Sequence, residues 1–451
     1  MKFYGRIEEV GLLRKSREIS QKFAQFTVVT GRRRVGKTEV LKQALNDGKG
    51  DFVYLLITKQ TEKSLCADLQ RDLETAAGGR VRIHGRCERV IDIVKELFEE
   101  SVRGPLTVVI DELQEMDKVN PSFFGALQGL WDEYHNRAQL NLVVSGSVNR
   151  LMNKIFFSYG EPLYGRNTGR LEIKPFPVRV LKEILADFNS AYTAEDLLAL
   201  WTFTGGVARY VELLMTTGAF TREKMIEAIF GRLTAFVDEG KIVLMEEFGA
   251  DYATYFSILA AIASGHTKFA EIGNDLGMEV GTFLANLNEK YELISRVRPF
   301  LDKARSKNSV YRIEDCFFRF WFRFVFKYQS LIAMGRNDQL QALVNRDYGV
   351  FSGYALERYF QWKILCESDC TNMGGWWDRK GENEIDLVCE NEIDLICENE
   401  LNETIDFYEV KVDASRYDQA ALEAKVSAFL QKHPEKGSWK RKLALLTLKD
   451  M

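Results

Sequence analysis

The sequence predicts an α/β protein of several domains, and three observations lead to that expectation. The length of 451 residues suggests about three domains at roughly 100–200 residues each. Short runs typical of buried strands recur at residues 26–30, 106–110 and 140–144, with helical segments between them. Hydrophobic residues form 46% of the chain, which is enough for a core in each domain and too many for a disordered protein.

A glycine-rich loop follows the strand at residues 26–30 and leads into a helical segment at residues 39–45. The loop matches the pattern GxxxxGK[ST] in full, with Gly31, Arg32, Arg33, Arg34, Val35, Gly36, Lys37 and Thr38. The glycines allow backbone N–H groups to wrap a triphosphate, Lys37 would reach its β- and γ-phosphates, and Thr38 would ligate Mg²⁺. The sequence therefore predicts a P-loop that binds ATP with Mg²⁺.

A second buried strand, residues 106–110, ends in two acids. We expect Asp111 to hold the Mg²⁺ shell and Glu112 to polarise the attacking water as a general base. The alternative for Glu112 is a cap on the next helix. Because the pair follows a P-loop, the interpretation as the second half of an ATPase site is favoured.

A third strand, residues 140–144, ends at Ser145 and Ser147. P-loop ATPases often place a polar residue between the metal-site strand and the P-loop strand, where it senses the γ-phosphate. Both serines are candidates for that role. A turn of small residues at the end of a strand is an equally good interpretation.

Together these motifs resemble the archaeal-type ATPase family, a branch of the AAA+/STAND NTPases. The matching segments are residues 3–9, 31–38, 110–114, 144–147, 162–170 and 205–210. The chain departs from the family at Ala208, where the family often has Pro. The resemblance implies that the segment near Gly5 and Arg6 packs against the nucleotide base.

Several arginines are candidates for contact with the nucleotide. By resemblance, Arg166 or Arg170 approaches a γ-phosphate, often across a subunit interface, and Arg209 is similar to the lid arginine of related ATPases. Solvation of a surface loop is the alternative for Arg166. The arginines at 32–34 face outward in most P-loops, so contact with a partner or another domain is an equal alternative for them.

Composition shifts divide the chain into four predicted segments. These are an ATPase core at 1–178, a helical lid at 179–248, a winged helix with an aromatic helix at 249–330, and a nuclease-like domain at 331–451. The first boundary rests on Pro175-Phe176-Pro177, which ends the sheet pattern.

The third segment is predicted to be a winged helix-turn-helix, since three helical patterns precede two strands joined by a charged loop. The loop and its strands carry Arg296, Arg298, Lys303, Arg305 and Lys307. These residues suit contact with a DNA backbone, but packing between domains is the favoured interpretation. The aromatic helix at 315–326 is likewise interpreted as buried core in preference to a surface that stacks on bases.

The last segment carries acids and a lysine in the order found in PD-(D/E)xK nucleases, and it resembles the C-terminal domain regularly found on archaeal-type ATPases. Glu357 lies in a helical pattern, Asp386 in a strand, and Glu409 and Lys411 on one face of a later strand. Asp386 and Glu409 could share a Mg²⁺ that activates water, while Lys411 stabilises developing charge. Such folds can also be inactive scaffolds.

A tandem duplication complicates this assignment. The octapeptide at 382–389 is followed at once by a near copy at 390–397. Eight is an even number, so a shift by one repeat keeps the same residues on the same strand face, and Asp394 competes with Asp386. We favour Asp386, because the run from Trp376 leads directly into it. The added acidic charge counts against cleavage of a nucleic acid.

Other features exclude several protein classes. The amino-terminal residues lack the apolar region of a signal peptide, no apolar run is long enough to span a bilayer, and seven cysteines form no CxxC pair. Four scattered histidines give no zinc spacing. We expect a cytoplasmic protein that makes no membrane contact.

Two functions remain in view. The first is a Mg²⁺-dependent ATPase coupled to a nuclease-like domain that acts on DNA or another nucleic acid. The second is a STAND-like, NTP-driven switch whose nuclease-like domain is inactive and binds a protein partner or a second copy of the chain.

Overall fold

A computed structural model describes residues 1–45, 51–76, 85, 87–147, 149–231, 234–303, 308–377 and 392–451. Asp386, Arg305 and Lys307 therefore lie outside the described residues. The described chain divides into two units, residues 3–175 and residues 176–451 together with residues 1–2. Within these residues, no helix combines the length and the apolar character that a membrane span requires.

The first unit is an α/β domain. Its strands are β1 (Gln25–Thr30), β2 (Asp51–Leu56), β3 (Leu106–Asp111), β4 (Leu140–Ser145) and β5 (Gly169–Glu172). Its helices are α1 (Ile7–Ser20), α2 (Lys37–Leu45), α3 (Glu62–Ala76), α4 (Val90–Arg103), α5 (Met116–Val119), α6 (Phe123–Tyr134) and α7 (Asn149–Phe157). Among the described residues, the strands form one parallel sheet in the order β2-β3-β4-β1-β5. The predicted parallel sheet is confirmed.

Helices cover both faces of this sheet, so its central strands are buried throughout. Every residue of β3 and β4 is buried, as expected for parallel strands packed on both sides. Successive side chains enter opposite cores: Val28 packs in one cluster and Val29 in the other. The carboxyl ends of β1, β4 and β3 therefore lie side by side at one edge, where polar residues follow each strand.

The second unit begins with helices. They are α8 (Val178–Phe188), α9 (Ala194–Thr204), α10 (Ala208–Thr216), α11 (Arg222–Gly231), α12 (Thr234–Phe248), α13 (Tyr252–Ala263), α14 (Phe269–Leu276) and α15 (Gly281–Glu289). An antiparallel hairpin of β6 (Ile294–Val297) and β7 (Val310–Ile313) follows. The sequence patterns thus predicted helices up to residue 289 and a hairpin after them.

An aromatic helix joins this part of the chain to the next. It consists of α16 (Cys316–Phe320) and a π-helical turn at Trp321–Phe326. Phe320 and Trp321 are buried, and the Trp321 indole N–H donates to the Val237 carbonyl at 2.6 Å. A Cβ on Gly240 would lie 2.3 Å from the Trp321 ring, so only glycine fits there. Most of these aromatic rings are buried core, which agrees with the favoured interpretation of this helix.

The remaining elements build a second sheet. They are α17 (Gln329–Ala333), α18 (Asn337–Phe351), α19 (Gly353–Glu367), β8 (Asn372–Trp377), β9 (Glu392–Asn399), β10 (Thr404–Val410), α20 (Gln419–Lys432) and β11 (Lys440–Leu446). In the part of the chain that the structure describes, the strand order is β11-β10-β9-β8. The β8–β9 and β9–β10 pairs are antiparallel, and β10–β11 is parallel.

The loop after β6 docks on this sheet. The Phe300 N–H donates to the Gly375 carbonyl at 2.7 Å, and the Phe300 ring packs in the same apolar cluster as Trp376 and Phe429. A Cβ on Gly374 would lie 3.1 Å from that ring, so glycine makes room for it. The hairpin loop is therefore a packing surface within the second unit.

We expect Phe300→Ala to lower the free energy of unfolding of the second unit by about 3–5 kcal/mol, because a buried ring is replaced by a cavity. Urea denaturation followed by tryptophan fluorescence measures the change. Phe269→Ala is the matched control, since Phe269 is 46% exposed, and it should cost clearly less. An equal loss of unfolding free energy in the two variants would contradict the packing of Phe300 against the second sheet.

Candidate active site

The loop from Gly31 to Gly36 connects β1 to the first turn of α2. Gly31 and Gly36 have φ angles of 147° and 96°, and Arg34 between them has a φ of 68°. A Cβ on Gly31 would lie 2.4 Å from the Ile173 carbonyl oxygen, so a side chain would collide with the backbone that follows β5. The glycines let the loop curl tightly over the start of the helix.

Lys37 lies at the first position of α2 and its side chain turns back over this loop. The ammonium donates to the Gly31 carbonyl at 2.9 Å and to the Arg32 carbonyl at 3.3 Å. Only 6% of the residue is exposed. A buried cation at the amino end of a helix is a binding element for an anion such as phosphate.

The Asp111 carboxylate lies at the end of β3 and is almost fully buried. The Thr38 hydroxyl donates to its Oδ2 at 3.0 Å, and the Tyr54 hydroxyl donates to the same oxygen. Oδ1 accepts from the Ser145 hydroxyl and, at 3.0 Å, from the Glu112 backbone N–H. Burial, and next the charge of Asp111, raise the pKa of the Tyr54 phenol well above its usual range, so it stays a donor.

These oxygens suit a hard divalent cation. Mg²⁺ is commonly held by one or two protein oxygens together with phosphates and water, and the Thr38 hydroxyl beside the Asp111 carboxylate supplies such a pair. Within the described ranges, no three His, Cys, Asp or Glu side chains converge on a metal position. The donor set fits a Mg²⁺ bound with nucleotide.

Glu112 turns away from the strand with a left-handed φ of 55°, which is uncommon for a residue with a side chain. Its Oε2 accepts hydrogen bonds from the Ser147 hydroxyl at 2.7 Å and from the Gln114 amide at 2.5 Å. Both hydrogen-bond donors lie at the sheet edge beside Asp111. No helix-capping hydrogen bond by Glu112 occurs in the described 3-10 turn that follows.

Arg6 is linked to the P-loop through its side chain. Its guanidinium donates to the Val35 carbonyl at 3.3 Å and to the Lys174 carbonyl at 2.5 Å, and it pairs with Glu9 at 3.0 Å. Arg6 itself is buried and has a φ of 63°. The residue therefore ties the amino-terminal segment and the chain after β5 to the loop.

The other arginines that the sequence singled out lie in different places. Arg166 precedes β5, and β5 runs parallel to β1 with Gly169 opposite Thr27, so Arg166 lies at the amino edge of the sheet, away from its own P-loop. It pairs there with Asp132 at 3.1 Å. In its own chain, Arg166 therefore takes part in a surface ion pair and lies apart from the P-loop.

Arg170 stacks on Phe157 at 4.3 Å, and Arg209 in the second unit pairs with Glu212 at 2.8 Å. Of the P-loop residues between the glycines, Arg33 and Arg34 are exposed and Val35 is buried in the core. The outward orientation expected for these two arginines agrees with their exposure.

Acids and lysines cluster on the second sheet. Lys411 pairs with Glu409 at 2.8 Å and with Asp394 at 3.4 Å, and the Val410 N–H donates to Asp394 at 2.7 Å. Lys425 on α20 pairs with Glu409 at 3.1 Å. Asp394 is the repeat aspartate in the described residues, whereas Asp386 lies outside them.

Glu357 on α19 belongs to the same region. Burial, and next the charge of Asp394, raise the pKa of the Glu357 carboxyl well above its usual range. Burial also raises the pKa of Asp394, with Glu409 as the next cause. Both shifts have desolvation as the first cause and the charge of a neighbouring carboxylate as the second.

Comparisons with known proteins match the amino-terminal and the carboxyl-terminal parts of the chain to different families. A family profile described as an ATPase domain predominantly from Archaea matches residues 3–214. A second, described as archaeal and bacterial proteins of unknown function, matches residues 321–422. The uncharacterized protein MJECL04 of Methanocaldococcus jannaschii is 30% identical over 399 residues, which cover 86% of this chain and 84% of that protein.

The chain belongs to the archaeal-type ATPase family. The Walker-type ATPase PABY2304 of Pyrococcus abyssi has a similar fold, with 20% identity, a TM-score of 0.52, and coverage of 71% of this chain and 96% of that one. The ORC2 protein of Aeropyrum pernix matches with 14% identity, a TM-score of 0.48, and coverage of 74% and 95%.

For this archaeal-type ATPase, sequence motifs predicted the family, ATP binding and an ATPase domain. They missed Tyr54, Gln114 and Lys425, which contact Asp111, Glu112 and Glu409. A β-rich run at residues 51–56 was the one local signal for Tyr54. Gln114 lies within the family-like segment 110–114, but that segment indicated no role for it, and Lys425 carries no short-range signal because its contact depends on tertiary packing.

We expect Lys37→Ala to weaken ATP binding by at least about 10-fold, because a charge-assisted contact to phosphate is worth about 1.5–3 kcal/mol. Titration calorimetry measures the affinity. Lys42→Ala, which removes an exposed lysine of the same helix, should bind ATP as the wild type does. An unchanged affinity in Lys37→Ala would contradict the assignment.

Proposed function

We propose that the archaeal-type ATPase hydrolyses ATP with Mg²⁺ at the site built by the P-loop, Asp111 and Glu112. The observation that carries this proposal is the meeting of a buried cation, a hydroxyl–carboxylate pair and a second carboxylate at one edge of the sheet. Lys37, Thr38, Asp111 and Glu112 supply these groups.

Different residues bind the phosphates, activate the water and hold the metal during phosphoryl transfer. Bound Mg²⁺ would supply charge neutralisation at the phosphates. Backbone N–H groups of the loop bind phosphate oxygens, and the Lys37 ammonium exchanges its carbonyl partners for them. Glu112 orients a water for in-line attack on the γ-phosphorus and takes its proton as the bond to ADP breaks. Thr38 and Asp111 would hold the metal.

We expect Glu112→Gln to bind ATP with near wild-type affinity and to turn over about 10²- to 10⁴-fold more slowly, since general-base catalysis contributes that range. Phosphate release under single-turnover conditions measures the rate. Glu115→Gln changes a carboxylate of the adjacent turn that pairs with Lys59, and it should hydrolyse ATP normally. Wild-type turnover in Glu112→Gln would remove the assigned base.

We also infer that residues 331–451 form a restriction-endonuclease-like domain. The element order α19-β8-β9-β10-α20-β11 supports this inference, as does the ion-paired group of Asp394, Glu409 and Lys411 on neighbouring strands. Asp394 and Glu409 are carboxylates of the kind that hold a divalent metal, and Lys411 is placed to stabilise charge on a phosphodiester.

Two features bear on whether this domain cleaves nucleic acid. The carboxylates already have cationic partners, since Lys411 and Lys425 pair with Glu409, and a metal would have to share or displace them. We propose that residues 252–313 form a winged helix used mainly for domain packing, because Phe300 of its loop is buried against the sheet. The competing function is an NTP-driven switch in which the nuclease-like domain is catalytically inactive.

Metal-dependent cleavage of DNA or RNA separates these functions. With Mg²⁺ or Mn²⁺, the wild type should nick a nucleic acid, and Asp394→Ala and Lys411→Ala should each abolish nicking because they remove a ligand and a cation. Asp386→Ala is the matched control from the other copy of the repeat and should retain activity. Loss in Asp386→Ala alone would assign the ligand to the first copy.

No nicking of any substrate by an intact, ATP-hydrolysing wild type would contradict the nuclease function. The NTP-driven switch would then be the better account of this domain.

A further inference from the structure

We propose that Gln114 is the positioning residue that holds Glu112 in the orientation for catalysis. The inference rests on the proposed role of Glu112 as the base. Gln114 lies in the 3-10 turn at Leu113–Glu115 directly after Glu112, and only 1% of it is exposed. Its amide nitrogen donates to Glu112 Oε2 at 2.5 Å.

The direction of this hydrogen bond is fixed by chemistry. A carboxylate only accepts, so the amide must present its NH₂ group to Glu112 and its carbonyl oxygen to the opposite side. Ser147 donates to the same Oε2 at 2.7 Å. Both donors therefore bind the same carboxylate oxygen, Oε2. The other oxygen, Oε1, accepts no hydrogen bond among the described residues and is available to accept one from the attacking water.

The position of the Gln114 carbonyl oxygen makes this polar group unfavourable for the stability of the fold. It is buried and has no hydrogen-bond partner in the described part of the chain. An unpaired buried acceptor of this kind costs about 1–3 kcal/mol. A methionine of similar size would fill the space without that cost, so stability alone does not account for an amide here.

The turn at residues 145–147 completes the arrangement. Ser145 donates to Asp111 and Ser147 to Glu112. A Cβ on the intervening Gly146 would lie 2.4 Å from the Gln114 carbonyl oxygen and 2.4 Å from the Met152 sulfur. Glycine thus makes room for the amide, and the tight fit confines it against Glu112.

We expect Gln114→Met to lower kcat about 10- to 100-fold, because a small displacement of a catalytic group has an effect of that order. The Kd for ATP should stay at the wild-type value, and the unfolding midpoint should stay equal or rise. In a Glu112→Gln background, Gln114→Met should cause no further loss, since the group that it positions is already disabled.

The measurement combines single-turnover hydrolysis, ATP titration and thermal unfolding of the full chain. Asn120→Leu is the matched control: it removes another amide–carboxylate contact in the same unit, from Asn120 to Glu62 at 2.8 Å, and kcat should not change. Gln114→Glu, which keeps the size but loses the donor, is the second variant and should also slow hydrolysis.

Three results would overturn the proposal: wild-type kcat in Gln114→Met, a loss of kcat matched by a loss of ATP affinity, or an additive loss in the Glu112→Gln background. Failure of both Gln114 variants to fold would also overturn it, since the residue would then be structural. If Glu112→Gln itself hydrolyses ATP like the wild type, the proposed function fails separately.

Discussion

The Asp111 carboxylate is the group on which the ATPase site depends. A buried charge is costly unless it is hydrogen-bonded, and Asp111 is almost fully buried at the end of β3. Its donors come from three different elements: Thr38 from α2, Tyr54 from β2 and Ser145 from β4. Satisfying one carboxylate therefore fixes the helix after the P-loop and both strands beside β3, and it places the neighbouring Glu112 at the same edge.

The sequence predicted those parts of the site that are local. The P-loop, and Asp111 with Glu112 at the end of an apolar run, are patterns within about ten residues, and the strand order then brings them together. Tyr54 could not be assigned in this way, because its contact with Asp111 exists only once β2 pairs with β3. Gln114 lies two residues from Glu112, yet its role depends on Gly146 across the sheet edge.

The duplicated octapeptide shows a second limit to what can be predicted from the sequence. Since the repeat has an even length, Asp386 and Asp394 are equivalent in strand pattern, and only pairing can distinguish them. In the structure β9 pairs with β10 so that Leu395 lies opposite Tyr408, which puts Asp394 beside Val410 and Lys411. The run of tryptophans before the repeat favoured Asp386, which lies outside the described residues, so that assignment stays a prediction.

Ion pairs on the second sheet show that the net charge of −4 does not describe the local charge around the acidic group. The acidic repeat suggested a region that repels a phosphodiester. Yet Glu392 pairs with Arg312 of the hairpin at 3.5 Å, and Glu409 with Lys411 and Lys425. At these described positions the acids are paired with cations, so a count of acids alone overstates the repulsion there. Because Arg312 belongs to β7, the hairpin contributes to the electrostatics of the acidic group as well as to the packing of its sheet.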